Sequence, residues 1–134
     1  MSKEPNKNLI EFQTLNQEIQ GLQEQLQNIN NNLQEVQILK NSLEELEDIK
    51  QNQEILIPLG QGIFTKGNIK NTDELITSVG SNILVDKNLK ETKDMVKLNV
   101  LNLSQVLEKT EEEINMKVEK LQKLQKEIME QEKQ

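Results

Sequence analysis

The sequence predicts a mainly α fold: a long antiparallel coiled-coil hairpin whose two helices are joined by two central β-hairpins. Three observations carry this reading. Apolar residues fall at Phe12, Leu15, Ile19, Leu22, Leu26, Ile29, Leu33 and Val36, in steps of three and four without a miss. A second run, Leu89, Val96, Val100, Leu103, Leu107, Ile114, Leu121, Leu124 and Ile128, keeps the same rule, with Lys93, Thr110 and Lys117 in the gaps. Between the runs lie Gly60, Gly62, Gly67, Gly80 and Pro58, interleaved with short aliphatic runs. A mean step of about 3.5 residues keeps one narrow stripe facing a partner helix.

Residues 1–8, MSKEPNKN, are polar and read as a flexible tail. The first helix is expected over residues 9–54. Its Asn and Gln content is high, with Asn30, Asn31 and Asn32 in a row, and these are mediocre helix formers. The helix must therefore lean on a partner. Past Val36 the stripe is expected to change phase, because Leu39, Leu43, Leu46 and Ile49 follow a different count and Lys40 takes a heptad position.

Residues 55–87 should hold the two hairpins. Ile55–Leu59 is a β-prone run in which Pro58 cannot donate to a ladder, so it is an edge strand or a strand's end. Gly60-Gln61-Gly62 turns the chain, Ile63–Lys66 resumes the strand, and Gly67 is expected to be a bulge or bend. Leu75–Val79 and Ile83–Val85 form the second pair around Gly80-Ser81-Asn82. Asn88 is placed as an N-cap, with Glu91 three residues on, for a second helix over residues 88–134. Each helix of about 46 residues would span roughly 70 Å.

The chain has 134 residues, one domain by length. It holds two Phe and no Trp or Tyr, and mean hydropathy is -0.71. A compact globular core leans on large side chains, whereas a two-helix seam needs only medium aliphatics. No cysteine or histidine is present, and every basic residue is a lysine. Disulfides, thiolate metal sites, the commonest general base and bidentate anion clamps are thereby excluded. The net charge of -7 opposes binding to nucleic acid or an anionic membrane. No cofactor or metal is expected, and the chain reads as cytoplasmic. Glu44-Glu45, Glu47-Asp48 and Glu111–Glu113 read as solvated helix faces, because paired carboxylates need a cleft to become acid and base. Lys117, Lys120, Lys123 and Lys126, interspersed with Glu113, Glu119, Glu127 and Glu130, read as surface pairing. The composition argues against an enzyme.

Four short strands bury little alone, and their apolar residues point to both faces: Ile55, Ile57 and Leu59 against Leu56, and Leu75 and Val79 against Ile76. Pairing with sheets of other chains would satisfy the edges and cover the surplus face. The candidate oligomerisation residues are Ile55, Ile57, Leu59, Ile63, Phe64, Leu75, Ile76, Val79, Ile83 and Val85. A sheet folded back on the root of its own coil is the alternative.

The stretch Ile57-Pro58-Leu59-Gly60-Gln61-Gly62-Ile63-Phe64, then Asn71–Gly80, then Val85-Asp86-Lys87-Asn88-Leu89 resembles the hairpin region of the prefoldin α class. The layout of long helix, two hairpins and long helix extends that resemblance over nearly the whole chain. One departure is the polar turn Gly80-Ser81-Asn82, where relatives tend to keep small or aromatic residues. The resemblance implies a hexamer of two α-class and four β-class chains. Its hairpins would build a double β-barrel from which coiled coils extend. It further implies an ATP-independent holdase chaperone that passes unfolded proteins to a group II chaperonin. The lack of any GxxxxGK[ST] loop agrees with ATP independence.

Client contact is then expected at the free ends of the coil, at Leu9, Ile10, Phe12, Ile128 and Met129. Phe12 and Ile128 keep heptad register and are read first as closing the coil. Leu9, Ile10 and Met129 lie off the seam, and Met adapts to varied surfaces. The competing function is a structural coiled-coil adaptor or tether whose sheet only joins rods.

Overall fold

The computed structural model describes residues 4–132. Met1–Lys3 of the expected tail, and Lys133 and Gln134 of the expected second helix, lie outside the described residues. The elements are α1 (Glu4–Glu47), β1 (Glu54–Gly60), β2 (Ile63–Asn68), β3 (Leu75–Ser78), β4 (Leu84–Lys87) and α2 (Leu89–Glu132). Contacts divide the chain into two compact units, one holding residues up to Gln34 and from Leu101, the other Glu35–Val100.

In the first unit α1 runs antiparallel to α2. Lys117 Nζ donates to Glu18 Oε2 at 2.8 Å, and Asn8 Nδ2 donates to Gln131 Oε1 at 3.4 Å, so partner numbers rise as α1 numbers fall. The heptad stripe is the seam. Leu15, Ile19, Thr110 and Leu124 are buried. The remaining heptad positions of this unit, Leu26 and Leu107 among them, are half-buried. Thr110 is tolerated there because its hydroxyl donates to Val106 O at 2.7 Å, inside its own helix.

The second unit contains the ends of both helices and the hairpins. Leu43, Thr92 and Val96 are buried, and Lys93 pairs with Glu47. The expected phase change falls later than Leu39: Leu39 is exposed and Lys40 half-buried, so the heptad count continues through Leu43, and only then shifts, with Leu46 and Ile49 half-buried and Glu47 and Lys50 exposed. A lysine can hold such a position because its methylenes pack while the ammonium reaches water.

Both ends of α1 differ from expectation. It already includes Glu4–Asn8, with Pro5 in the first turn, where a missing N–H has no intrahelical partner to lose. It stops at Glu47 rather than Glu54. Asp48 N donates to Glu45 O at 3.2 Å and Ile49 N to Leu46 O at 3.3 Å, a tightened last turn. Asn52 then takes a left-handed φ of 64°. Its N–H donates to Ile69 O at 2.8 Å, and Ile69 N–H donates to Gln53 O at 3.1 Å. The sheet thus claims backbone groups that local pattern assigns to the helix.

β1 and β2 pair antiparallel with Ile55 opposite Gly67 and Ile57 opposite Thr65. The Gln61–Gly62 turn has φ of 50° and 79°, matching the right-handed twist of the strands. The irregularity falls between Pro58 and Gly60, not at Gly67 as expected. Gly67 is in register; a Cβ there would lie 2.6 Å from Ile57 Cδ1, so the bare glycine makes room for Ile57. β3 and β4 form a separate two-stranded sheet, with Leu75 opposite Lys87 and Thr77 opposite Val85. Asn88 caps α2 as expected: Glu91 N–H donates to Asn88 Oδ1 at 2.7 Å, and Asn88 Nδ2 returns a bond to Glu91 Oε1 at 3.1 Å. Among the described residues, no helix is long and apolar enough to cross a membrane.

Candidate functional site

The chemistry available to this chain is apolar surface, and it occurs in both units. Near the chain ends, Leu9, Ile10 and Met129 are 47%, 64% and 54% exposed. They lie off the heptad stripe, so the partner helix does not cover them. Phe12 and Ile128 are half-buried and sit in the stripe. The outermost cross-helix bond described here is the exposed Asn8–Gln131 amide pair.

The electrostatics of the first unit centre on Lys117. Its hydrogen bond to Glu18 raises its pKa above the ordinary 10.5, against a smaller opposing effect of desolvation and with help from the charges of Glu18 and Glu113. A lysine in the seam is thus kept charged and directed at α1.

In the second unit the hairpins carry a dense set of exposed apolar side chains. Ile57, Leu59, Ile63, Phe64, Ile76, Val79 and Ile83 are all exposed. Ile55, Leu75 and Val85 are half-buried. The two hairpins therefore differ. In β3–β4 one face (Leu75, Thr77, Val85, Lys87) is half-covered and the other (Ile76, Ser78, Leu84, Asp86) is open. In β1–β2 only Ile55 and Gly67 are half-covered, and apolar groups stand open on both faces. The expectation of apolar residues on both faces is met by both hairpins; only in the first do they stand open on both.

Leu56 and Leu84, 63% and 64% exposed, also belong to this surface and are missing from the candidate set drawn from the sequence. The signal was present: each sits in a strand, one residue out of phase with its chosen neighbours. Ile38, Leu39, Leu98, Leu101, Val106 and Met116 are exposed as well. Isolated surface hydrophobes of this kind are ordinary. The hairpin set is not ordinary, because its members crowd onto four short strands whose outer edges are unpaired among the described residues.

Two long helices joined through two small antiparallel hairpins form a recognisable arrangement, and comparison with known proteins agrees with it. The family model described as "Prefoldin subunit" matches residues 15–134. The chain belongs to the prefoldin family. No curated protein matches the chain. Among solved structures, the filamentous PFD from Methanocaldococcus jannaschii is similar with a TM-score of 0.73 at 18% identity, over 91% of this chain and 98% of that one. At that identity the likeness concerns the fold. The prefoldin fold thus accounts for the helix seam and for the hairpins, and family membership supports a chaperone-type role in general.

Proposed function

We propose that this prefoldin chain is an α-class subunit of an ATP-independent holdase. In this reading the hairpins pair with those of β-class chains, two α with four β, to build a β-barrel. The chain ends capture unfolded proteins, which pass to a group II chaperonin in the cytoplasm. No catalytic step, cofactor or metal is assigned. The observation that carries the reading is the split of exposed apolar surface into two sets of different character. The hairpin set is dense and lies beside strand edges unpaired among the described residues, the form that suits fixed partners. The terminal set of Leu9, Ile10 and Met129 is small and sits on exposed helical positions, the form that suits varied ones. Clients expose scattered apolar patches, and several weak contacts on one particle add up through multivalency.

The test is to measure native mass alone and after mixing with a β-class subunit, then aggregation of an unfolded model protein in the presence of the assembled particle. Assembly together with suppressed aggregation supports the reading. Assembly without suppression favours a structural tether.

A further inference from the structure

Resting on the capture reading above, we infer that Met129 is an oxidation switch. A peroxide converts its thioether to the sulfoxide and weakens client capture at the chain ends, and a dithiol reverses the change.

Composition leaves an oxidant one kind of target. The chain has four methionines and no cysteine, histidine, tryptophan or tyrosine. Thioether sulfur is therefore the group that dilute peroxide attacks in this sequence. Met1 lies outside the described residues. The other three methionines stand in different surroundings. Met95 is half-buried, and its sulfur accepts a hydrogen bond from Lys87 Nζ at 3.4 Å, so burial and the ammonium both shield it. Met116 is 63% exposed. Its helix neighbours three and four residues away, Glu112, Glu113, Glu119 and Lys120, are charged and exposed, so it builds no apolar patch with them.

Met129 combines exposure with apolar company. It is 54% exposed. The bond from Asn8 Nδ2 to Gln131 Oε1 sets the level of the two helices here. Two steps inward along each antiparallel helix bring Ile10 level with Met129, and Leu9 precedes Ile10. Ile10 and Leu9 are exposed too, and neither carries an oxidisable group. Met129 is thus the one residue of the terminal set whose polarity redox chemistry changes.

The step balances with named reactants. The Met129 sulfur attacks one peroxide oxygen, the O–O bond breaks and an S–O bond forms. The second oxygen takes up the proton and leaves as water. Sulfur loses two electrons and the peroxide gains them. In reverse, two thiols supply two electrons, close to a disulfide, and the sulfoxide oxygen leaves as water. The product is polar and chiral where the thioether was apolar and adaptable. An apolar client patch that covers it must desolvate a strong acceptor without a partner. Met129 lies off the heptad stripe, so the helix seam keeps its packing in both forms.

In the test, the assembled particle is treated with dilute hydrogen peroxide, the excess is removed, and peptide mass spectrometry locates each added oxygen. Capture is read as the particle concentration that halves aggregation of an unfolded model protein. For the wild type we expect that concentration to rise at least about threefold. It should return to its starting value after a dithiol and methionine sulfoxide reductases for both epimers. Each variant is compared with its own untreated sample. Met129→Leu should not respond to peroxide, whereas Met116→Leu should respond as the wild type does. Untreated Met129→Gln should lose about what oxidation takes. The switch is overturned if a particle carrying the Met129 sulfoxide captures as well as the untreated one. It is equally overturned if M129L loses as much as the wild type, or if peroxide lowers native mass or helical circular dichroism. Replacing Leu9, Ile10 and Met129 together by Gln separates the two readings. Loss of capture there without a response to peroxide overturns the switch alone, and no loss in either experiment overturns both.

Discussion

Replacing Leu9, Ile10 and Met129 together by Gln tests whether the chain ends hold clients. Fully burying a side chain of this size is worth about 1.5–3 kcal/mol. The three are 47%, 64% and 54% exposed, so about half of each remains for a client to cover. That leaves about 0.7–1.5 kcal/mol per residue, or about 2–4 kcal/mol for one chain's ends when fully covered. At about 1.4 kcal/mol per tenfold, the upper range is several hundredfold in affinity. An irregular client covers only part of this area, and we expect a loss of at least about tenfold. The assay is light scattering of a chemically unfolded model protein diluted into buffer with the assembled particle, giving the particle concentration that halves aggregation. Gln is nearly as good a helix former as Leu or Met, and the replaced side chains are largely exposed. The melting temperature should therefore move by less than about 2 °C, and native mass should not change. An intact particle whose half-effective concentration shifts less than about twofold would refute the assignment of Leu9, Ile10 and Met129.

Three further outcomes are expected. Ile76→Asp with Val79→Asp places two charges on hairpin surface that is open in the single chain; burying them in an assembly costs several kcal/mol, so native mass should drop while helical circular dichroism is kept, and an unchanged mass contradicts hairpin assembly. Val96 is 1% exposed, and Val96→Ala deletes two methyl groups and leaves a small cavity, which should cost about 2 kcal/mol in denaturant unfolding; a cost under about 0.5 kcal/mol would mean the seam is not packed there. Lys117 has its pKa raised above 10.5 in the folded chain, first by its bond to Glu18. Its contribution is therefore complete below 10.5 and fades as pH climbs through the folded value. Compared by thermal melts between neutral and strongly alkaline pH, Lys117→Met should lose less stability than the wild type over that interval, and parallel curves would refute the pairing.

The local chemistry of the chain was legible wherever short-range rules govern it. The positions that heptad spacing named from Phe12 to Val36 and from Leu89 to Ile128, including polar Lys93, Thr110 and Lys117, are all buried or half-buried, because helical periodicity decides which side chains share a stripe; buried Thr92 was not among them. The glycine-bearing turns and the Asn88 cap were equally readable, since they depend on residues within four positions of each other. The candidate terminal residues followed from register too: Leu9, Ile10 and Met129 fall outside the stripe, and they are exposed.

Other features were set by groups distant in sequence. α1 ends at Glu47 because Ile69 takes the backbone bonds of Asn52 and Gln53, a competition that no window around Glu47 contains. Lys40 stays in the stripe and Leu39 leaves it, because continuity of the helix outweighs the apolarity of one side chain and a lysine stem can pack. Gly67 resembles a bulge in sequence, yet its glycine serves the Ile57 side chain across the ladder. Which face of β3–β4 is half-covered could not be read from alternation, since both faces carry aliphatic residues. Periodicity names the side chains that share a face; only packing between distant segments decides which face is covered.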